Sequence, residues 1–462
     1  MKSCTIAWTR SFLCILLLTI IFSQGYPKAR ADETVSGHSA NFDWPGFLGP
    51  HRNGKSAEVG LPDTWPVGGP PIAWQTRIGT GYAAAAIGAG RLYHFGRFDD
   101  NARLTCLDAQ SGEELWKAEY ATDYEDMLGY NNGPRATPVV DGNRIYSFGA
   151  EGVLQCVRAA DGKPIWRKDT MRDYHVVKNF FGVGSTPLVW NELLIVNIGG
   201  SPPDSPADVY SARGHVESNG SAVVAFDKMT GTERWRTGDD LASYASPIVT
   251  KIGGREVLLM FARGGLLAID PGKGETIAHF PWRARLLESV NASTPIVVND
   301  EVFISETYEL GGALVRFTGT AFEEVWSDRG RRRNRVMALH WNTPIEHGGY
   351  IYGSSGYHAP EAELKCVDWK TGDVKWSEPD MGRSSLLLVE GTFVCLSEDG
   401  TLRLLRSTPE RYTELAKWEL ETADGAPLLT YPSWAAPALA NGLLFVQGAD
   451  RLVCLRLIEP NK

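Results

Sequence analysis

The sequence predicts an all-β fold: a single eight-bladed β-propeller of four-stranded blades, closed by pairing the N-terminal strand with the last blade. Three observations carry this. A hairpin pattern recurs, a second pattern opens each repeat, and one strand stands alone at the N-terminus, where the last repeat lacks one. Repeats of roughly 40 to 50 residues with four short strands each are the period of propeller blades.

The hairpin pattern is Cys106-Leu107-Asp108-Ala109-Gln110-Ser111-Gly112 followed by Trp116, and it returns over Asp227 to Trp235 and Asp368 to Trp376. Cys156 to Trp166 repeats it with Arg158 in place of Asp. An Asp that ends a strand can accept hydrogen bonds from the turn amides, Ser or Thr supports the turn, and Gly takes the position that needs φ > 0. The Trp four residues after the Gly then lies on the next strand, placed to wedge neighbouring blades together.

The opening pattern is a run of small residues, often Ser/Thr-Pro, before an apolar pair. It reads Ala136-Thr137-Pro138, Ser185-Thr186-Pro187, Ala245-Ser246-Pro247, Ser293-Thr294-Pro295, Asn342-Thr343-Pro344 and Ala435-Ala436-Pro437, with looser copies at Ala84 to Ile87 and Ser384 to Leu388. The last repeat supplies three strands before the chain ends, and Ile72-Ala73-Trp74-Gln75 matches the missing outer one. Pairing the termini in one blade leaves no open sheet edge.

In chain order, residues 1–31 read as a secretory signal: Lys2 and Arg10 precede an apolar run, and Ala29-Arg30-Ala31 suits cleavage. Residues 32–69 are a leader that packs on the propeller, polar to Asn41 and then Gly/Pro-punctuated and aromatic from Trp44 to Gly54; residues 70–458 are the propeller. Cleavage would remove Lys2, Arg10, Lys28 and Arg30 and no acid, taking the net charge from −9 to −13. Nucleic acid is therefore excluded as a natural partner, and the cleaved chain is expected to be exported, periplasmic or extracellular, and not to span a membrane. Cys106, Cys156, Cys366 and Cys454 share one repeat position that Ala225 and Ala268 fill elsewhere. That is a slot for a small buried residue, not a disulfide framework.

With Asp227, Thr230, Gly231 and Trp235 and their repeats in view, the chain resembles the pyrroloquinoline-quinone-like (PQQ-like) propeller repeats and their tryptophan-docking motif. The leader Trp44-Pro45-Gly46-Phe47-Leu48-Gly49-Pro50-His51-Arg52-Asn53-Gly54 is similar to that of exported propellers from planctomycete-type bacteria. The resemblance implies the fold. For function it implies two things at once, since such propellers include PQQ-dependent alcohol dehydrogenases and the non-catalytic lipoprotein of the outer-membrane β-barrel assembly machine.

The connections that lead into the inner strands are long and rich in rings and charges, including Asn179-Phe180-Phe181, His340-Trp341, Tyr357-His358 and Tyr431 to Trp434. Loops on a rigid scaffold are where binding concentrates. A planar ligand at the channel mouth would be sandwiched by aromatics such as Trp341 and Trp434, with Asn291 near the axis and carboxylates held by Arg283, Arg285 or Arg135. The same rings also suit a plug. PQQ with Ca²⁺ is the cofactor to test, with Asp123, Glu125, Asp126, Glu288 and Glu306 as carboxylates, yet no spacing singles out a metal site or a catalytic residue. Adjacent cysteines and Cys-x-x-Cys-His are absent from the sequence, which counts against a quinone alcohol dehydrogenase. The insertion from Gly199 to Gly220 is placed to act as a lid or as a plain loop. The leading expectation is a non-catalytic module that binds a small ligand or an envelope protein through its aromatic loop face. A quinone-dependent alcohol or sugar dehydrogenase and a scaffold of an envelope assembly complex are the alternatives.

Overall fold

The computed structural model describes residue 1 and residues 42–422 and 425–459. The expected signal segment and the polar part of the leader, residues 2–41, lie outside the described residues. The chain divides into Met1–Gly37 and His38–Lys462, and the second unit carries the structure that follows.

Eight four-stranded antiparallel blades follow one another along the chain, one of them extended by a short parallel strand. Blade 1 is Ala86–Gly88, Arg91–Phe98, Asn101–Asp108 and Glu114–Ala121, ordered from the axis outward, and blades 2 to 7 repeat that order. Blade 8 takes Ala438–Ala440, Leu443–Gln447 and Arg451–Arg456 from the C-terminus and its outer strand, Ile72–Arg77, from the N-terminus. Trp74 pairs with Cys454 and Arg77 with Arg451, so the ring closes as the sequence predicts. The second strand of each blade is buried on both faces, as in Arg144–Phe148, whereas outer strands such as Glu414–Glu419 alternate between exposed and half-buried positions. That difference follows from stacking: inner strands lie between two neighbouring sheets, and outer strands meet solvent on the rim. Among the described residues no helix is long and apolar enough to cross a membrane.

The hairpin chemistry is realised atom by atom. Asp108 Oδ1 accepts from the Gln110 and Ser111 amides at 3.0 and 2.8 Å, and Gly112 sits at φ 73°. Trp116 crosses to blade 2, where its Nε1 donates to the Ala159 carbonyl at 2.9 Å and its ring covers Gly162. Trp166, Trp235 and Trp326 dock in the same way on Lys228, Pro271 and Trp369, and Trp74 docks on Ala109 across the closure. Trp418 has no such turn ahead of it, because the outer strand of blade 8 comes from the N-terminus. It covers Gly69 instead. Ala278 occupies the Trp position of blade 4, and the matching turn glycine of blade 5, Gly319, faces open space.

The Ser/Thr before each Pro has a role the sequence did not show. The Thr137 amide donates to the Thr186 hydroxyl at 3.0 Å, Thr186 to Ser246 at 3.0 Å, Ser246 to Thr294 at 3.2 Å and Thr294 to Thr343 at 3.1 Å. Each hydroxyl satisfies a backbone N–H of the preceding blade, where a proline-interrupted strand start would leave it orphaned. Cys106, Cys156, Cys366 and Cys454 are buried and free, as a packing slot requires, and Cys395, outside that slot, is buried and free as well.

Residues 44–56 do not lie along the rim. Trp44 exchanges hydrogen bonds with Ile87 of blade 1, Pro45 accepts from Val140 of blade 2, and Lys55–Ser56 pairs in parallel with Leu388 and Val389 of blade 7. Between these points the segment crosses the narrow end of the channel. There Arg52, at φ 53°, reaches the carbonyls of Pro187 and of Pro247, the latter at 3.0 Å.

Candidate functional site

Since the leader closes one end, the channel is a funnel open on the face of the long loops. The cavity is about 1200 Å³, its open mouth included, with Phe47 of the leader on its floor. Its wall follows a register rule. The residue three positions before each opening Pro lines it in six blades: Arg135, Gly184, Tyr244, Ala292, Trp341 and Trp434, with Tyr82 in the matching place of blade 1. The extended chain alternates sides, so the Ser/Thr one position before the Pro faces the axis as well, as Thr137, Thr186 and Ser246 do.

The rings form a connected belt. Trp434 has Tyr82 at 4.9 Å, Tyr130 at 5.6 Å and Trp341 at 6.0 Å between ring centroids. Tyr130 continues to Phe181 at 5.7 Å and Phe181 to Tyr244 at 5.5 Å. Across the mouth, His340 lies 4.9 Å from Tyr357 and 6.0 Å from Tyr308. The Phe181 amide donates to the Tyr244 hydroxyl at 2.9 Å, and Trp341 Nε1 has no acceptor among the described residues.

Both arginines of the ring are already neutralised. Arg135 pairs with the buried Asp126 and donates to the carbonyls of Gly133 and Asn131 at 2.6 and 2.9 Å. Arg383, in the equivalent place of blade 7, pairs with Glu398 at 2.7 Å and lies 5.0 Å from the Trp434 ring. Glu398 also accepts from Trp434 Nε1 at 2.9 Å; burial alone would raise its pKa, but the Arg383 and Trp434 donors outweigh it and hold the carboxyl below its ordinary range. Burial, reinforced by Arg383, pushes the His340 pKa down to about 3, so its ring is neutral at physiological pH. Glu288 is the wall's carboxylate without a hydrogen bond or an ion pair among the described residues.

Trp341, Trp434 and Arg135 thus stand on the wall where the sequence puts them. Asn291 and Arg285 do not. Asn291 falls four positions before its Pro, on the opposite side of the alternating chain, and its amide donates to the carbonyls of Ala262, Trp282 and Arg263 at 2.7, 3.1 and 3.3 Å. Arg285 is exposed outside the funnel, its backbone amide bonded to Glu309 at 3.1 Å. Of the five acidic candidates only Glu288 lines the wall. Glu306 is buried and caps the turn amides of Tyr308 and Glu309 at 2.7 and 3.0 Å. No residue of the insertion lines the cavity: Val209 packs in one apolar cluster with Val177, Phe180 and the wall residue Val290, and Asn219 ties the insertion to Tyr174 and Ser201.

The family model described as outer membrane protein assembly factor BamB matches residues 100–378. The chain belongs to this family. The proteins of that name are distant relatives: the one from Burkholderia pseudomallei is 25% identical over 276 residues, 57% of this chain and 60% of its own length. The one from Shewanella oneidensis is 25% identical over 103 residues, 21% of this chain and 26% of its own. The chain thus spans less than two thirds of either BamB relative. A quinohemoprotein alcohol dehydrogenase from Comamonas testosteroni superposes with a TM-score of 0.52 at 14% identity, over 92% of this chain and 82% of that one, a likeness of fold alone.

PQQ with Ca²⁺ is the cofactor that the sequence resemblance makes the one to test, and the donors described in the funnel do not fit it. A planar tricarboxylate needs cations, and a hard metal needs clustered oxygen ligands. Arg135 and Arg383 are spent on Asp126 and Glu398, and among the described residues no three His, Cys, Asp or Glu side chains come together.

Proposed function

We propose that this BamB-family propeller is a non-catalytic binding module of an exported protein, with the aromatic funnel as its binding site. The observation that carries the reading is the register rule: seven blades contribute the same position to one wall, and in four of them that position is a ring, Tyr82, Tyr244, Trp341 or Trp434. A concave, mostly apolar pocket with a few placed polar groups is what ligand sites are made of. The Trp341→Leu variant tests it, because Trp341 Nε1 bonds to none of the described residues and the change therefore removes ring contact without breaking a hydrogen bond. A ligand of the wild type whose affinity survives this change and Tyr130→Ala binds elsewhere, and the reading fails.

A second reading is favoured by the family match: a scaffold subunit of an envelope protein assembly complex, docking through blade edges or the arginine-rich loop Arg329 to Arg335. Co-purification of an envelope protein that persists in Trp341→Leu and disappears on neutralising Arg331, Arg332 and Arg333 would support it over the first.

A further inference from the structure

The charge pattern of the funnel selects a ligand class, and this inference rests on the binding-module reading. Each positive group of the inward-facing ring is matched by a buried acid of its own, Arg135 by Asp126 and Arg383 by Glu398. His340, beside Arg383 at 3.1 Å, stays neutral. The belt of Tyr82, Tyr130, Trp341 and Trp434 presents π faces and edges, and Glu288 supplies a negative charge with no partner among the described residues. Arg263 comes close in space, its guanidinium donating at 3.0 Å to the carbonyl of Leu287, the residue before Glu288, but among the described residues it makes no ion pair with Glu288.

An anion entering this space would meet a carboxylate and the negative faces of the rings. A neutral apolar body would gain contact area alone. A cation with an apolar shell gains the area, the attraction of the ring quadrupoles and the Glu288 carboxylate together. Space for it lies on the side where Gly184 and Ala292 stand in the ring positions, next to Glu288 and Val290. We propose that the funnel binds an organic cation, an ammonium or guanidinium group, carried either on a free small molecule or on a side chain of a peptide.

The test is a titration of intrinsic tryptophan fluorescence in the whole protein. Choline, its neutral isostere 3,3-dimethylbutanol, citrate and a blocked glycine-arginine-glycine peptide are the probes. Choline or the peptide is expected to bind about tenfold tighter than the neutral isostere, the combined effect of cation–π contact and one screened carboxylate. Trp341→Leu should weaken the cation about fivefold and Glu288→Gln about threefold, while Glu288→Gln leaves the isostere unchanged. Tighter choline than peptide assigns a free molecule, and the reverse order assigns a protein segment. Equal binding of choline and its isostere, preference for citrate, or no cation binding overturns the inference. If the isostere or citrate binds and Trp341→Leu abolishes it, the funnel reading survives without the cation; if Trp341→Leu changes nothing, both fall.

Discussion

Arg52 donates a hydrogen bond to the carbonyl of Pro247, 195 residues further along the chain, at 3.0 Å. The guanidinium is buried, and desolvation pulls its pKa down to about 10. Chain that precedes the first blade therefore makes the floor of the funnel, and Phe47 lines it from the same turn. Deleting residues 32–80 removes this floor, the Gly69 seat of Trp418 and the outer strand of blade 8. The truncated chain is expected to lose its cooperative thermal transition, and full stability after truncation would contradict the ring closure.

Trp docking gives a paired test on two glycines. Gly231 sits at φ 71°, and a methyl group added to its Cα would come only 2.8 Å from the Trp166 ring, whereas Gly348, at φ 63°, has open space. Gly348→Ala should cost about 1 kcal/mol from backbone strain alone. Gly231→Ala adds a steric clash and should cost about 3 kcal/mol. Denaturant melts of the two variants measure the difference, and equal losses would mean that Trp docking does not hold the blades.

Two of the arginines singled out in the sequence should separate sharply. Arg135→Ala strands the Asp126 carboxylate, whose side chain is fully buried, and should destabilise by about 3 kcal/mol. Arg285→Ala touches an exposed side chain and should stay within about 0.5 kcal/mol of wild type. Chemical denaturation of both variants decides.

Acid should weaken the fold through its buried histidines. Burial pushes the His94 pKa from 6.5 down to about 4. The folded state holds this ring neutral, while the unfolded chain takes up a proton as pH falls below 6.5. The His94 contribution is therefore complete above pH 6.5 and is lost as pH falls towards 4, by about 2.5 kcal/mol near pH 4.5. Stability measured from pH 7 to 4.5 should fall less steeply in His94→Gln.

Much of this architecture is legible in the sequence because it is local. The Asp, Ser/Thr and Gly of each turn bond within a few residues, and the Trp spacing follows from the hairpin. The path of Trp44 to Ser56 is not legible, since it depends on long-range contacts such as Arg52 with Pro187 and carries no period. The site is partly legible. Trp341 and Trp434 stand out as large rings, while Tyr82 and Tyr244 look like ordinary loop residues until the openings of the repeats are aligned. That alignment was the available signal: it marks the third position before each Pro as inward and turns Asn291, at the fourth, away. Tyr130 and Tyr308 come from loops with no such register. Pairing of Arg135 with Asp126 and of Arg383 with Glu398 is tertiary, so the charge balance of the funnel could not be read from composition.

Whether the funnel is where this protein binds is decided by a ligand titration followed by tryptophan fluorescence in wild type and Trp341→Leu side by side, with thermal melts of both as the control for folding. Saturable binding is expected in wild type, with at least fivefold weaker binding in the variant from about 1 kcal/mol of lost ring contact, and the melts should match. Undiminished binding in a folded Trp341→Leu protein would contradict the assignment of the funnel as the binding site.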